Sequence, residues 1–463
     1  MSDKQGNLWM CTHSKGVEKI TFVKSDFKLY IPIPHDYETL GNDVRSLYTD
    51  KDQRLWVGIK SGSVRVYDKN MEYLGYLTEA GTIAKSGKGI VGVAYCITQD
   101  SRGVMWIATK GDGLVRAVKE GDKYKLTRYK NEPDNIYSLS DNNIYSIYED
   151  GKKRLWLATF GGGLNYIEPE KKGELTFINY RNDLKGYPID YCHRVRHITS
   201  DSKHNIWVAT TTGVLCFNEN FVHPEKVVFS HYSRIPSEAG SLSNNDVYWI
   251  LETKRKELYL ATFGGGLNKL VSMEEQGKAK FKSYTVKDGL PSDVLLSIQE
   301  DKKGNLWIST ENGLSKFSPA RQTSENYDEK GFDLKVRFDE GSSSQLYNNQ
   351  IAFGTSYGIF FFSPDSIRKS SYVPPITFSK LQIANIETVP GAEGSVLERN
   401  INETDNLELS HDENIFTITY AALDLKNPDN IQYAYILEGF DKDWTYVDKQ
   451  RSATYTNIPK GEY

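Results

Sequence analysis

An Asp lies six residues before a Trp at intervals of about fifty residues along most of this chain of 463 residues. Thr253 and Tyr259 occupy the same spacing in one further place. A fixed period in this range is typical of one supersecondary unit that is stacked many times. The repeat therefore constrains the fold more than any local pattern does. The pairs are Asp3–Trp9, Asp50–Trp56, Asp100–Trp106, Asp150–Trp156, Asp201–Trp207 and Asp301–Trp307.

Each unit contains four short runs rich in β-branched and aromatic residues, separated by glycines and charged turns. In the unit around Trp156 these runs are 144–148, 155–159, 164–167 and 177–180. This pattern predicts a four-stranded antiparallel meander. One such sheet cannot bury both of its faces, so neighbouring sheets must stack. Units of about fifty residues with four strands are typical of propeller blades.

The number of blades follows from the number of second strands, which is eight: seven units with a Trp or Tyr and one degenerate unit. A last, degenerate copy has Ala352 in place of the Trp, and the first copy lacks its inner strand. We expect a seven-bladed β-propeller over residues 31–366, with residues 1–30 left over from a preceding propeller. An eight-bladed ring closed by residues 1–30 is the alternative. In either ring we expect the recurring Trp to pack between blades and the Asp to bind backbone amides of the following turn.

A second domain follows the repeat. Residues 367–374 contain a Pro-Pro pair and are expected to form a linker with an extended backbone. Residues 375–463 contain short alternating strands separated by turn signals, which predicts an incomplete immunoglobulin/fibronectin-like β-sandwich. The sequence begins inside a repeat and stops before a last strand, so we expect a fragment of a longer protein.

Composition and charge argue against several classes of function. Lys and Arg number 57 and Asp and Glu number 61, a net charge of −4, so nucleic acid is not an expected partner. No apolar run is long enough for a membrane helix. The four cysteines and eight histidines lack the spacing of metal sites or redox motifs. We therefore predict no metal, no cofactor and no catalytic residue.

Two sets of segments resemble known domains. Residues 134–150, 241–247 and 288–294 resemble the two-component regulator propeller repeat, and residues 433–444 with 455–463 resemble the Y_Y_Y domain. The combination is similar to the ectodomain of hybrid two-component sensors of Bacteroidetes. In that family two seven-bladed propellers and the Y_Y_Y domain lie outside the cytoplasmic membrane. A membrane helix and kinase, receiver and DNA-binding modules follow.

The resemblance implies a function in signal transduction. It implies a periplasmic sensor region that binds a glycan-derived oligosaccharide, and a parent histidine kinase whose phosphorelay controls transcription of polysaccharide-utilisation genes. It also implies a homodimer formed through the parent protein and contact with the membrane only through C-terminal segments missing from this chain. A polysaccharide lyase or hydrolase built on a propeller, and a protein-interaction scaffold, remain alternatives.

Candidate ligand-binding residues come from the geometry of a blade. Antiparallel strands bring the start of the inner strand and the loop after the second strand to the same face, and the sequence varies most between units on this face. Aromatic faces suit the C–H patches of a sugar, and cations suit an acidic one. Alternatively, Tyr145, Tyr248 and Trp249 pack inside the blades. The aromatic candidates are Tyr145, Phe160, Tyr191, Tyr248, Trp249 and Phe263, and the basic ones are Lys110, His193, Arg194 and Arg196.

Overall fold

The structure is a computed structural model of an almost entirely β protein with two compact units. The larger unit is Ser25–Ile367, and the smaller one combines Met1–Lys24 with Arg368–Tyr463. The described residues are 1–21, 25–34, 40–168, 175–273, 278–332, 334, 336–367, 373–425, 428 and 431–463. Their two α-helices have one turn each, α1 (Ile189–Cys192) and α2 (Glu329–Phe332). The predicted all-β class is confirmed. The 3-10 helices are Leu40–Asn42, Pro224–Lys226, Val286–Asp288, Tyr347–Asn349, Ile401–Glu403 and His411–Glu413.

Strands β1 (Leu8–Thr12) and β2 (Gly16–Ile20) form a hairpin in the smaller unit, and β3 (Phe27–Tyr30) opens the larger unit. The described residues of the larger unit form seven sheets, six of them meanders of consecutive antiparallel strands. The first three sheets are β4 (Val44–Thr49), β5 (Leu55–Ile59), β6 (Val64–Tyr67), β7 (Tyr73–Leu77) and β8 (Ile83–Ala84); β9 (Val93–Gln99), β10 (Met105–Lys110), β11 (Leu114–Glu120) and β12 (Lys123–Tyr129); and β13 (Ile144–Glu149), β14 (Leu155–Thr159), β15 (Gly163–Ile167) and β16 (Phe177–Ile178).

The remaining four sheets continue the pattern, and the last one is completed by β3. They are β17 (Val195–Ser200), β18 (Asn205–Thr210), β19 (Gly213–Asn218) and β20 (Ser230–Tyr232); β21 (Val247–Glu252), β22 (Leu258–Thr262), β23 (Leu267–Met273) and β24 (Ala279–Tyr284); β25 (Leu295–Glu300), β26 (Leu306–Thr310), β27 (Gly313–Ser318) and β28 (Thr323–Tyr327); and β29 (Phe338–Gln345), β30 (Ile351–Thr355) and β31 (Gly358–Phe362) with β3.

The sheets form a closed ring. The first strand of each sheet, here called its inner strand, contacts the inner strand of the next sheet, and β29 contacts β4 in the same way. Apolar clusters fill the space between neighbouring sheets, for example around Trp156, Val208 and Phe217. Such stacking buries both faces of each sheet, as the repeat requires.

The position of β3 differs from the expected boundary at residue 31. Phe27 pairs with Phe362 and Tyr30 pairs with Ile359, so β3 is the outer strand of the seventh sheet. The side chain of Phe27 is buried against the ring of Phe360 at 5.4 Å between centroids. No repeat motif marks this strand, and the strand with which it pairs lies at the far end of the propeller sequence. Residues 27–30 therefore belong to the propeller and not to a preceding array.

The Asp of each Asp–Trp pair makes the expected backbone bonds and one more. In all six pairs it accepts a hydrogen bond from the amide four residues later. Its second oxygen accepts one from the indole Nε1 of the Trp, at 2.8–3.1 Å. In the seventh place, Thr253 keeps the backbone bond, and the hydroxyl of Tyr259 donates to Glu257 instead. The motif thus fixes the turn and satisfies the buried indole with one side chain.

A second regular contact joins neighbouring blades. The last residue of an inner strand accepts a hydrogen bond through its side chain. The donor is the backbone N–H of the residue that directly follows the motif Asp or Thr in the preceding blade. Glu252 receives the N–H of Ser202 at 2.9 Å and also its hydroxyl at 2.9 Å. Glu149 and Glu300 make the same backbone contact with Ser101 and Lys254. These bonds join three pairs of neighbouring sheets on the face with the uniform turns.

Replacing Glu252 with Ala is expected to lower the free energy of unfolding of the propeller by about 1 kcal/mol, because partly exposed bonds from Ser202 to a carboxylate are lost. Glu252→Gln is the matched control, since its amide oxygen still accepts the backbone bond. Urea denaturation of both variants measures the difference. Equal midpoints for the two variants would show that the contact contributes nothing.

The smaller unit contains two further sheets. One has the order β33, β32, β34, β37, and the other pairs β35 with β36. The hairpin of β1 and β2 belongs to this unit, where Gln5 Nε2 donates to the carboxylate of Asp424 at 2.8 Å. Residues 368–372 of the expected linker lie outside the described residues. The strands are β32 (Ile376–Ile383), β33 (Ile386–Glu387), β34 (Ile415–Ala422), β35 (Tyr433–Tyr435), β36 (Thr445–Asp448) and β37 (Ser452–Thr456).

Candidate functional site at the channel mouth

Every inner strand of the ring carries a β-bulge near its start. The pairing with the second strand shifts there, and in the first six sheets it leaves one residue without a partner. In the seventh sheet the shift lies between Phe338 and Ser343. A bulge redirects the side chain of the extra residue and is often found beside binding sites. The extra residues, here called the bulge residues, are Arg45, Tyr95, Tyr145, Arg196, Tyr248 and Leu296.

The bulge residues surround one end of the central channel, here called the channel mouth. A cavity of about 450 Å³ opens there. Backbone bonds of 2.9 Å join the loops after the second strands to the starts of the inner strands, as from Lys60 N to the carbonyl of Asp43 and from Phe263 N to that of Asp246. Loop and strand start therefore lie on one face, as the antiparallel geometry predicts. The cavity is lined by Asp43, Arg45, Lys60, Tyr248, Phe263, Leu296, Arg337, Phe338, Asp339, Glu340 and Ser356.

Aromatic rings form a continuous wall on one side of the mouth. Tyr145 stacks on Phe160 with centroids 4.7 Å apart and planes at 16°, and Tyr95 lies 4.6 Å from Tyr145. Tyr248 lies 5.3 Å from Phe263. The guanidinium of Arg196 joins the two groups, since it lies 4.0 Å from the ring of Tyr248 and 5.3 Å from that of Phe160. The wall thus presents rings from neighbouring blades beside a planar cation.

Ion pairs connect several charged side chains around the mouth. Arg45 contacts both Asp43 and Asp339 at 3.2 Å, so it connects the first and seventh sheets. Lys60 shares Asp43 with Arg45, at 3.2 Å. Arg196 contacts Asp246 at 2.7 Å and Glu340 at 3.1 Å. Each of the four acids at the mouth therefore has a cationic partner.

Burial changes the pKa of several groups at this end of the ring. Burial raises the pKa of Asp339 to about 7, an effect that Arg45 opposes and Asp43 reinforces. Burial raises the pKa of Tyr145 and of Tyr248 to about 12. The half-buried ring of His197 stacks on Trp249, and its desolvation lowers its pKa to about 3. Near neutral pH, Asp339 is therefore the group at the mouth that exchanges a proton, and His197 stays neutral.

Asp339→Asn is expected to flatten the dependence of stability on pH. The folded protein holds the Asp339 proton up to about pH 7, whereas the unfolded chain releases it near its ordinary value of 3.8. Stability of the wild-type protein from this group therefore falls as pH rises between these two values, and the asparagine variant lacks that loss. Urea midpoints of both proteins from pH 4 to pH 8 measure the effect. Parallel curves would contradict it.

The structure brings seven of the ten predicted site residues to the mouth or its rim, and Arg196 is the cation that joins the two groups of rings. Tyr145, Phe160, Tyr248 and Phe263 belong to the aromatic wall. Lys110 lies on the rim with its ammonium 5.7 Å from the ring of Tyr95. Arg194 lies on the rim with its guanidinium 5.6 Å from the ring of Phe160.

The other three predicted residues lie elsewhere. The exposed ring of Tyr191 packs against His231 at 5.1 Å. His193 contributes its backbone carbonyl, which accepts from Gly161 and Gly163. Trp249 stacks on His197 at 4.0 Å and packs among the apolar side chains around Tyr259 and Leu295, so it lies between blades. The bulge at Tyr248 explains this, since it directs Tyr248 to the mouth and its neighbour into the core.

Several residues of the mouth are absent from the sequence-based set, namely Arg45, Tyr95, Arg337, Asp339 and Glu340. A signal for the first two exists in the repeat. Each bulge residue lies five positions before the motif Asp, or before Thr253 in the fifth sheet. Alignment of the units on this motif therefore selects one mouth residue per blade. No comparable signal marks Asp339 and Glu340, because the seventh unit lacks the motif.

Within the described ranges, no group of three or more His, Cys, Asp and Glu side chains is arranged to hold a metal ion. The helices in these ranges are too short and polar to span a bilayer.

Two family models match the chain. The model described as two component regulator propeller matches residues 40–60, 89–111, 138–161 and 289–312. The model described as Y_Y_Y domain matches residues 424–463. Four segments of the chain thus match two-component regulator propeller repeats, and its last 40 residues match a Y_Y_Y domain. The resemblance found in the sequence is therefore confirmed.

Three known proteins are similar to this chain. Histidine kinase P4 of Formosa agariphila is 23% identical over 424 residues, which are 91% of this chain and 29% of the relative. The structure described as the extracellular domain of a hybrid two component system from B. thetaiotaomicron has a TM-score of 0.69 and 24% identity, and the match covers 100% of this chain and 57% of that one. Virginiamycin B lyase from Staphylococcus aureus, solved with quinupristin, has a TM-score of 0.51 and 14% identity over 72% of this chain and 98% of that one.

These comparisons differ in what they show. The chain spans less than a third of the length of the curated histidine kinase and just over half of the sensor structure. At such identities, the two structural likenesses show the fold alone. The shared fold with a lyase therefore carries no activity to this chain.

Proposed function

We propose that this chain is the extracytoplasmic ligand-sensing region of a hybrid two-component histidine kinase, and that it binds a glycan-derived oligosaccharide at the channel mouth. The observation that carries the binding proposal is the wall of stacked rings, Tyr95, Tyr145 and Phe160 with Tyr248 and Phe263, beside a cavity of about 450 Å³. The match to Histidine kinase P4 over 91% of the chain supports the sensor assignment.

The chemistry of the mouth suits a sugar. Its rings offer flat apolar faces for C–H groups, and its ion pairs offer charged donors and acceptors for hydroxyl groups. The cavity volume lies in the range of about 300–1,000 Å³ that is usual for small-molecule sites. A short oligosaccharide fits into a cavity of this volume. A long polymer does not, and most of its length would lie outside the cavity, beyond the rim.

The proposed parent protein would work as a periplasmic sensor in the inner membrane and as a homodimer. It would pass the signal through a phosphorelay to transcription of polysaccharide-utilisation genes. For this it needs two states with different affinities for the ligand. Nucleic acid is not a proposed partner of this chain.

One observation favours a second candidate, a propeller hydrolase or lyase. Asp339 has a pKa of about 7 and lies beside Asp43, which shares Arg45 with it. Two adjacent carboxyl groups, one of them with a raised pKa, are a common arrangement for acid–base catalysis. The experiment that tests the proposed function must therefore distinguish binding from turnover.

Calorimetric titration of the purified chain with a panel of plant, algal and host oligosaccharides, with chromatography of each mixture afterwards, makes this distinction. The sensor proposal predicts saturable binding and an unchanged sugar. Product formation that disappears in Asp339→Asn would establish the enzyme instead. Failure of the whole panel to bind would contradict the proposed site.

A further inference from the structure

We propose that the channel mouth selects an acidic oligosaccharide, and that Arg337 binds its carboxylate or sulfate group. This inference rests on the proposed binding function and adds the chemical class of the ligand. The inference is based on a comparison between the acids of the mouth, which have cationic partners, and the cations of the mouth and rim that lack acidic partners.

Each acid of the mouth has a cationic partner inside the protein. Asp43 contacts Arg45 and Lys60, and Asp339 contacts Arg45. In the same way, both Asp246 and Glu340 contact Arg196. These acids are therefore poor sites for a cationic ligand, because such a ligand would have to displace an existing ion pair.

Three cations of the mouth and rim lack acidic partners among the described residues. Lys110 and Arg194 are exposed and contact only the rings of Tyr95 and Phe160. Arg337 is exposed, lines the cavity, and has no side-chain hydrogen bond or ion pair in that part of the chain. The whole chain has a net charge of −4, so this local excess of unpaired cations does not follow from composition.

Arg337 is well placed to hold an anion. Its backbone carbonyl accepts a hydrogen bond of 2.9 Å from Ser356 N, which fixes the start of β29. It also lines the same cavity as Lys60, and the Asp43 carboxylate that Lys60 contacts is shared with Arg45. A guanidinium binds carboxylate or sulfate with two parallel hydrogen bonds, which gives both strength and orientation.

The nearest acidic side chains do not neutralise the positive charge around Arg337. Glu311 occupies the loop position in the sixth sheet that Lys60 occupies in the first, and it does not line the cavity. Protonation of Asp339, whose pKa is raised by burial, removes a further negative charge near neutral pH. An acidic ligand therefore enters a site whose free charges are positive.

The test uses pairs of sugars that differ only in charge. Digalacturonate is compared with galactobiose, and the disaccharide of chondroitin 4-sulfate with its unsulfated form, by calorimetric titration at low and high salt. We expect the acidic member of a pair to bind more tightly, with an affinity that falls as salt increases. Arg337→Gln should weaken its binding roughly tenfold or more, the usual size of a charge-assisted bond. The two pairs show whether the group is a carboxylate or a sulfate.

The controls keep this inference separate from the proposed function. Lys152→Gln, which removes an exposed cation from a turn after a motif Asp, should bind like the wild type, and Arg337→Lys should retain part of the affinity. Neutral sugars that bind as tightly as acidic ones, or an unchanged affinity in Arg337→Gln, would overturn the choice of an acidic ligand and leave oligosaccharide binding intact. If neither sugar of either pair binds and the wider panel also fails, the proposed function fails with it.

Discussion

Replacing Trp156 with alanine is expected to lower the free energy of unfolding of the propeller by about 3–5 kcal/mol, the range for deletion of a large buried aromatic side chain. Trp156 is fully buried between the third and fourth sheets. Its ring lies 4.6 Å from that of Tyr166 and 5.2 Å from that of Phe217. The alanine variant loses these contacts and leaves a cavity that rigid β-sheets cannot close. Urea denaturation followed by far-UV circular dichroism measures the change.

Two controls separate burial from hydrogen bonding. Trp156→Phe removes the bond from Nε1 to Asp150 and keeps most of the apolar contact, so it should cost less than the alanine change. Trp9 makes the same bond, to Asp3 at 2.8 Å, yet it is only partly buried and belongs to the smaller unit. Trp9→Ala should therefore leave the propeller transition unchanged. A wild-type midpoint in Trp156→Ala would show that the motif Trp does not support the ring.

Replacing Phe160, Arg194, Tyr248 and Phe263 together with alanine is expected to weaken oligosaccharide binding roughly a hundredfold or more, because a few aromatic and arginine contacts carry most of the energy of such a site. The four side chains form the larger part of the wall and one rim cation. Calorimetric titration with the tightest sugar of the panel measures the loss, after thermal unfolding has established that the variant is folded.

The matched control removes three exposed lysines from the turns after the motif residues, namely Lys152, Lys203 and Lys302. These turns alternate with the channel-mouth loops along the chain, and the triple alanine variant should bind like the wild type. Wild-type affinity in the quadruple variant would move the site away from the mouth, although a sensor function could survive. Equal losses in both variants would indicate a general effect on the fold.

The fold was largely predictable from the sequence because its main signal repeats. The spacing of Asp150 and Trp156 recurs along the chain, and one such unit cannot bury both faces alone. Strand β3 could not be predicted in this way, since it carries no motif and pairs with residues more than 320 positions later in the sequence. The bond between Asp150 and the indole of Trp156 was also missed, because spacing alone does not show that the two side chains meet.

The site was predictable only where it depended on strand order. Tyr145, Phe160, Tyr248 and Phe263 reach the mouth because antiparallel strands place their segments on one face. Trp249 does not, since a bulge at its neighbour breaks the alternation of side chains. The ion pairs could not be inferred, because Arg45 and Asp339 come from the first and seventh sheets and meet only when the ring closes. The cations that lack acidic partners can therefore be identified only from the closed ring and not from the sequence.

The completion of the seventh sheet by β3 also affects the order of events during biosynthesis. Phe27 leaves the ribosome 335 residues before its partner Phe362, which is added near the end of the propeller. At about 5–20 residues per second, the early strand waits on the order of tens of seconds. During this time its apolar side chains and open backbone edge could pair with other nascent chains. Truncated translation products that stop before residue 338 would therefore be expected to aggregate or to require a chaperone, even though most of their blades are complete.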